Sequence, residues 1–191
     1  MHDNTEIAFY YLTEESKKVG GLTKAKLRSI LDEYGPLLRI NHVVSSGGTF
    51  LVQVCRAVYD NKRRRGNHGE STVLACVKLL VEDYGALVDG QTYEAASCQQ
   101  MALGVVAARG MPSVVRYLLE RGASPTRVSS GRMATPAKRA TVKCVNATPL
   151  LWAESVYQAA RTAGTPASDL TSLHVCMELL RRATTSAAAE N

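Results

Sequence analysis

Three glycines constrain how this chain can be divided into helices. Gly35, Gly85 and Gly122 each follow a stretch with apolar residues at helical spacing. The stretches hold Leu27, Ile30 and Leu31; Cys76, Val77, Leu80 and Val81; and Val114, Val115, Leu118 and Leu119. A glycine in that place ends a helix in the left-handed conformation, where no Cβ meets the preceding carbonyl. A fourth apolar stretch, from Val175 to Leu180, is followed by Arg181 and Arg182 and has no such glycine. That is the pattern of an array's last helix, which has no further turn to launch. Asn146 stands two residues before Thr148, as Gly47 stands before Thr49. Asn is the residue next most tolerant of positive φ.

One segment shows the whole unit without a gap. Residues 101–125 read MALGVVAARGMPSVVRYLLERGASP, with Leu103 and Ala107 apolar in a first helix, Gly110 at a turn, a second apolar helix, and Gly122-Ala123 closing it. The segment resembles an ankyrin repeat, whose pattern opens on a T-P-L-H-x-A-like helix start and runs through V-V-x-L-L to G-A. Met101-Ala102 replaces the opening Thr-Pro, and Gly104 stands at the His position. Upstream, Thr49-Phe50-Leu51-Val52-Gln53-Val54 resembles the same start, and its unit holds 15 more residues than the ungapped copy. Downstream, Thr148-Pro149-Leu150-Leu151-Trp152-Ala153 is the fullest match to that start, in a unit with 14 extra residues. A weaker first unit runs from Thr5 through Leu12 and Leu31 to Gly35.

The resemblance implies an all-α ankyrin-repeat helical solenoid of about four helix-turn-helix units, with hairpin-like loops and no extended sheet. The units are expected at about 5–40, 41–90, 91–127 and 146–184, in a single array over 1–184 with a long basic loop at 125–146. A small polar tail, 185–191, is expected to be disordered. The extra residues are read as lengthened helices. Leu51, Val54, Cys55 and Val58 keep helical spacing toward a close at Lys62–Arg65, and Gly66 and Gly69 then break the chain. Ser71 or Thr72 is expected to cap a helix to Tyr84 with Val73, Leu74, Val77, Leu80 and Val81 as its stripe. The last unit repeats the scheme: a helix from Pro149 to about Ala163, breakers Gly164 and Pro166, and a Ser168 cap.

Composition agrees with one helical array. The 191 residues are 46% hydrophobic, enough for a core, and the 6% aromatic share suits a mostly aliphatic one. A helix pair cannot bury its apolar face alone, so several must stack. No apolar run approaches the roughly 18 residues of a membrane span, and the N-terminus lacks the features of a signal peptide. Five cysteines without paired spacing argue for reduced thiols, in cytoplasm or nucleus. Cys55, Cys76 and Cys176 fall on apolar stripes, where a thiol acts as a small hydrophobe. His174 and Cys176, two apart on a helix, face different ways and cannot share a metal. With no phosphate loop, nucleophile elbow or H-E-x-x-H pattern, the expectation is a non-enzyme with neither metal nor cofactor. Trp152 is expected to pack between helices, and one of Tyr10 and Tyr11 to be buried.

Charge supplies the candidate site. Net charge is +6 with a pI near 9.2. No acidic residue lies between Glu120 and Glu154, while Arg127, Arg132, Lys138, Arg139 and Lys143 are all basic. In ankyrin proteins the join between units is a hairpin-like finger, so this stretch resembles an enlarged, polar and mobile one. Lys62, Arg63, Arg64 and Arg65 form a second basic cluster. These nine residues are the partner-binding candidates. The expected function is a monomeric, non-catalytic adaptor whose partner is a protein with an acidic segment. The alternative is an anion-binding module whose basic finger engages nucleic acid or acidic lipid. Residues 121–147 contain no aromatic side chain on which bases could stack, which weighs against nucleic acid.

Overall fold

Alternating helix starts and glycine stops produce a mostly helical chain with one small sheet. The computed structural model describes residues 4–17, 21–35, 38–44, 48–57, 68–90, 100–135 and 141–189. The chain divides into two compact units, 1–94 and 95–191.

The first unit holds two helix pairs. Helices α1 (Asn4–Lys17) and α2 (Lys24–Tyr34) pack together, as do α3 (Phe50–Ala57) and α4 (His68–Lys78); α3 also lies on α1, and α4 on α2. Thr23 caps α2 by accepting the Lys26 N–H at 3.3 Å, and Thr49 does the same for α3 through the Val52 N–H at 3.3 Å. Leu12, Leu27, Leu31, Phe50 and Leu51 are buried, and Phe9 meets Phe50 edge to face at 5.5 Å. Asn41 clasps the chain beyond α4: its side chain donates to the Gly85 carbonyl at 3.1 Å and accepts the Leu87 N–H at 2.7 Å.

Helix α4 departs from the sequence reading at both ends. It begins at His68, so Gly69, Ser71 and Thr72 lie inside it and neither break nor cap it. A glycine in a first turn faces open space here and costs little. At the far end the helix widens into a π turn, Leu79–Asp83. Of the expected stripe, Val73, Val77 and Leu80 are buried, as are Cys76 and Leu79, whereas Leu74 and Val81 are half-buried. In α1 neither Tyr10 nor Tyr11 is buried; Thr5, Ala8, Phe9 and Leu12 form its inward face.

The second unit also holds two helix pairs, α5 (Ala102–Ala108) with α6 (Pro112–Glu120) and α7 (Pro149–Thr162) with α8 (Ala167–Ala189). Again first packs on first and second on second, α5 on α7 and α6 on α8. Every residue of α5 is buried. Gly104 of α5 faces Trp152, which is wholly buried on α7; a Cβ on Gly104 would lie 3.4 Å from its Cδ1, in ordinary van der Waals contact. On α6 the buried set is Val114, Val115, Tyr117 and Leu118, whereas Leu119 is only half-buried. Thr148 caps α7 through the Leu151 N–H at 3.3 Å, with Pro149 at the first helical position. Helix α8 starts at Ala167, so Ser168 is its second residue and not its cap. It continues through Thr184 to Ala189, into the stretch expected to be a loose tail, where alanines favour helix.

Gly35, Gly85 and Gly122 all have positive φ, at 57°, 65° and 84°, and among the described residues Asn146 is the non-glycine residue with positive φ, at 49°. All three glycines take a positive φ after a helix, but Gly35, with ψ −148°, is not in the left-handed helical conformation. Cys55, Cys76 and Cys176 are fully buried, and burial pushes the Cys76 thiol up to about 12 despite the nearby Lys24. That is the behaviour of a packing residue.

Candidate functional site: the basic hairpin

The long join between α6 and α7 is an ordered antiparallel ribbon. Strands β1 (Ser129–Ala134) and β2 (Thr141–Ala147) pair with Ser129 opposite Ala147, Gly131 opposite Cys144, Arg132 opposite Lys143 and Met133 opposite Val142. The two-residue period is legible in β2, where Thr141, Lys143 and Val145 are exposed and Cys144 is buried. Between Ser129 and Gly131 the register slips, so Val145 and Asn146 together face the single residue Ser130. Ser130 Oγ accepts the Asn146 N–H at 2.8 Å and repairs the ladder at the bulge, where Asn146 takes its positive φ.

Two buried side chains fasten this ribbon to the helices. Trp152 Nε1 donates to Ser129 Oγ at 3.0 Å. Gln100 lies across Gly131 and donates from Nε2 to the Arg132 carbonyl at 2.9 Å. A Cβ on Gly131 would come within 2.6 Å of that amide, so the approach depends on glycine. Neither anchor was legible in the sequence. Gln100 belongs to no apolar period, and the Ser129 hydroxyl has meaning only once Trp152 is known to be buried beside it.

Because the Arg132 carbonyl points to Gln100, it points away from β2. Arg132 and Lys143 therefore form a non-hydrogen-bonded pair, the kind in which opposed side chains stand closest. Both are exposed, and neither has an ion-pair partner among the described residues. Like charges placed this way destabilise a ribbon, and an anion between them reverses the sign. Arg127, half-buried, precedes β1 in the same join. Lys138 and Arg139, and the cluster Lys62, Arg63, Arg64 and Arg65, lie outside the described residues.

Net charge is divided unevenly between the two units. Residues 1–94 carry twelve Lys and Arg against twelve Asp and Glu. Residues 95–191 carry eleven against five, which accounts for the whole +6. Among the described residues the cations with acidic partners lie elsewhere: Lys26 pairs with Glu15 at 3.4 Å, Arg28 pairs with Asp83, and Arg181 bridges Glu154 at 2.8 Å and Glu178 at 2.7 Å.

Among the described residues no group of three or more His, Cys, Asp or Glu side chains could hold a metal ion. His174 is exposed and Cys176 buried, on different faces of α8. No helix among those residues is long and apolar enough to cross a membrane. Comparison with protein-family models, with curated proteins and with solved structures gave no match.

Proposed function

We propose that this chain is a non-catalytic, monomeric ankyrin-repeat module of the cytoplasm or nucleus, and that its basic hairpin docks an acidic segment of a partner protein. The repeat reading is supported by four helix pairs, three of them closed by a positive-φ glycine, with first helix on first and second on second inside each compact unit. The observation that carries the function is the exposed Arg132–Lys143 pair, held on an anchored ribbon with no acidic residue in sequence from Arg121 to Ala153. A rigid ribbon presenting unpaired like charges gains most from an anionic partner, since its own fold leaves them opposed.

The test is affinity capture from the source cell, comparing wild type with Arg132→Glu/Lys143→Glu and with Arg161→Glu, an exposed cation outside the ribbon. A specific partner held by wild type and Arg161→Glu, and lost by the hairpin variant, supports docking. Equal capture by all three contradicts it.

The concentration of charge on the second unit favours nucleic acid as the second reading. It requires generic RNA or DNA to bind at physiological salt, with the log–log salt slope falling by roughly two when Arg132 and Lys143 are replaced. The docking reading expects only weak, nonspecific binding that disappears at that salt.

A further inference from the structure

We propose that the outer edge of β2 is a strand-addition site, on which an extended acidic segment of the partner pairs antiparallel with residues 141–145. The inference rests on the docking reading and goes further, by naming the mode of recognition and the sequence spacing it requires.

The alternation that sends the Arg132 carbonyl to Gln100 sends the N–H and C=O groups of Thr141, Lys143 and Val145 to the opposite edge of the ribbon. The Asn146 N–H, turned inward to Ser130, fixes the same parity from the other end. Among the described residues the sheet has two strands, and no backbone hydrogen bond closes this second edge. The β1 edge, by contrast, is capped by Gln100. A backbone edge of this kind is a template for another strand.

Side chains determine which strand fits. The three residues whose backbone faces outward also expose their side chains on one face, in the order Thr141, Lys143, Val145. Arg132 stands across from Lys143, and Val145 is 65% exposed, the highest value among the large apolar residues described. Lysine on an edge normally repels copies of the same strand. Here the cations exclude basic strands and select acidic ones, while Val145 provides an apolar contact two residues along. In an antiparallel partner, directly opposed residues share a face. The matching segment therefore reads apolar–x–acidic–x–acidic, with an acid against Lys143 and Arg132 and the apolar residue against Val145.

The probe is a capped, labelled peptide, Thr-Val-Thr-Glu-Thr-Glu-Thr, titrated into the full chain by fluorescence anisotropy. Opposed residues on a shared edge exchange both hydrogen bonds, so the N–H of the central Glu must face β2 and that of the neighbouring Thr must face solvent. N-methylation of that Glu should weaken binding at least tenfold, and N-methylation of the Thr should leave it unchanged. Arg132→Gln/Lys143→Gln and Val145→Asp should each weaken the parent peptide at least tenfold, with circular dichroism unchanged. No binding of the parent peptide, equal effects of the two methylations, or equal binding of a peptide with both Glu residues first would each overturn strand addition. Capture of the natural partner that still depends on Arg132 and Lys143 would then leave docking intact by another geometry. Capture insensitive to both residues would remove the docking reading as well.

Discussion

At the residue scale, two glycines in the second unit have opposite requirements. Gly131 lies under the Gln100 amide, and a Cβ would be within 2.6 Å of it. Gly131→Ala should cost about 1–3 kcal/mol by urea denaturation, since Gln100 must leave a buried hydrogen bond to make room. Gly104 sits mid-helix with 3.4 Å of clearance to Trp152. Gly104→Ala should be neutral or stabilising by up to about 1 kcal/mol, because alanine suits a helix better. In the first unit Tyr84 donates its hydroxyl to Asp32; burial foremost, then that bond and the Asp32 charge, push the phenol from 10.0 to about 12. A group raised on folding contributes stability below its unfolded value and loses it as pH rises through the folded one. The contribution of Tyr84 should therefore be intact below pH 10 and gone by about 12, read from phenolate absorbance of wild type against Tyr84→Phe. Residue identity made the positive-φ positions legible, because only glycine and asparagine relieve that strain cheaply. It could not decide between Tyr10 and Tyr11. The tightly packed face of α1 goes to Phe9 and Leu12, and Tyr11 stacks instead on Tyr34 at 6.0 Å.

At the element scale, α6 separates two leucines that periodicity treats alike. Leu118 is wholly buried and Leu119 half-buried, because Tyr117 takes the inward place and lies under the Arg121 guanidinium at 5.2 Å. Leu118→Ala should cost about 2–5 kcal/mol and Leu119→Ala clearly less, a difference that equilibrium unfolding of the two variants resolves. Equal losses would mean that α6 is rotated from the position described. The helices were legible where a cap and a period agreed, as at Thr148-Pro149 and Thr49-Phe50. They were misread at the start of α4, where Gly69, Ser71 and Thr72 lie inside the helix and neither break nor cap it. The ribbon was expected as a hairpin-like finger, but a mobile one, because Ser129, Ser130 and Gly131 are turn residues. The alternation in Thr141-Val142-Lys143-Cys144 is the signal that points to a strand. Burial of Cys144 and Met133 against the unit decides for strand.

At the scale of the molecule, fold and function should separate cleanly in one substitution. Arg132→Glu replaces a like-charged cross-strand pair with an opposite one, which should leave stability unchanged or raise it by about 0.2–1 kcal/mol. The same change should abolish partner capture. Charge segregation predicts which half of the chain engages, since residues 1–94 are neutral overall and 95–191 carry the excess. Which surface of a basic chain is selected was only partly legible in sequence. The basic run was plain, but the opposition of Arg132 and Lys143 depends on register, and register depends on a bulge. Hydrogen–deuterium exchange of the full chain, free and saturated with the captured partner, tests the central claim most directly. The account predicts new protection of the outward amides of Lys143 and Val145, with α1 to α4 unchanged. Protection confined to residues 1–94, with the ribbon exchanging as in the free chain, would contradict it.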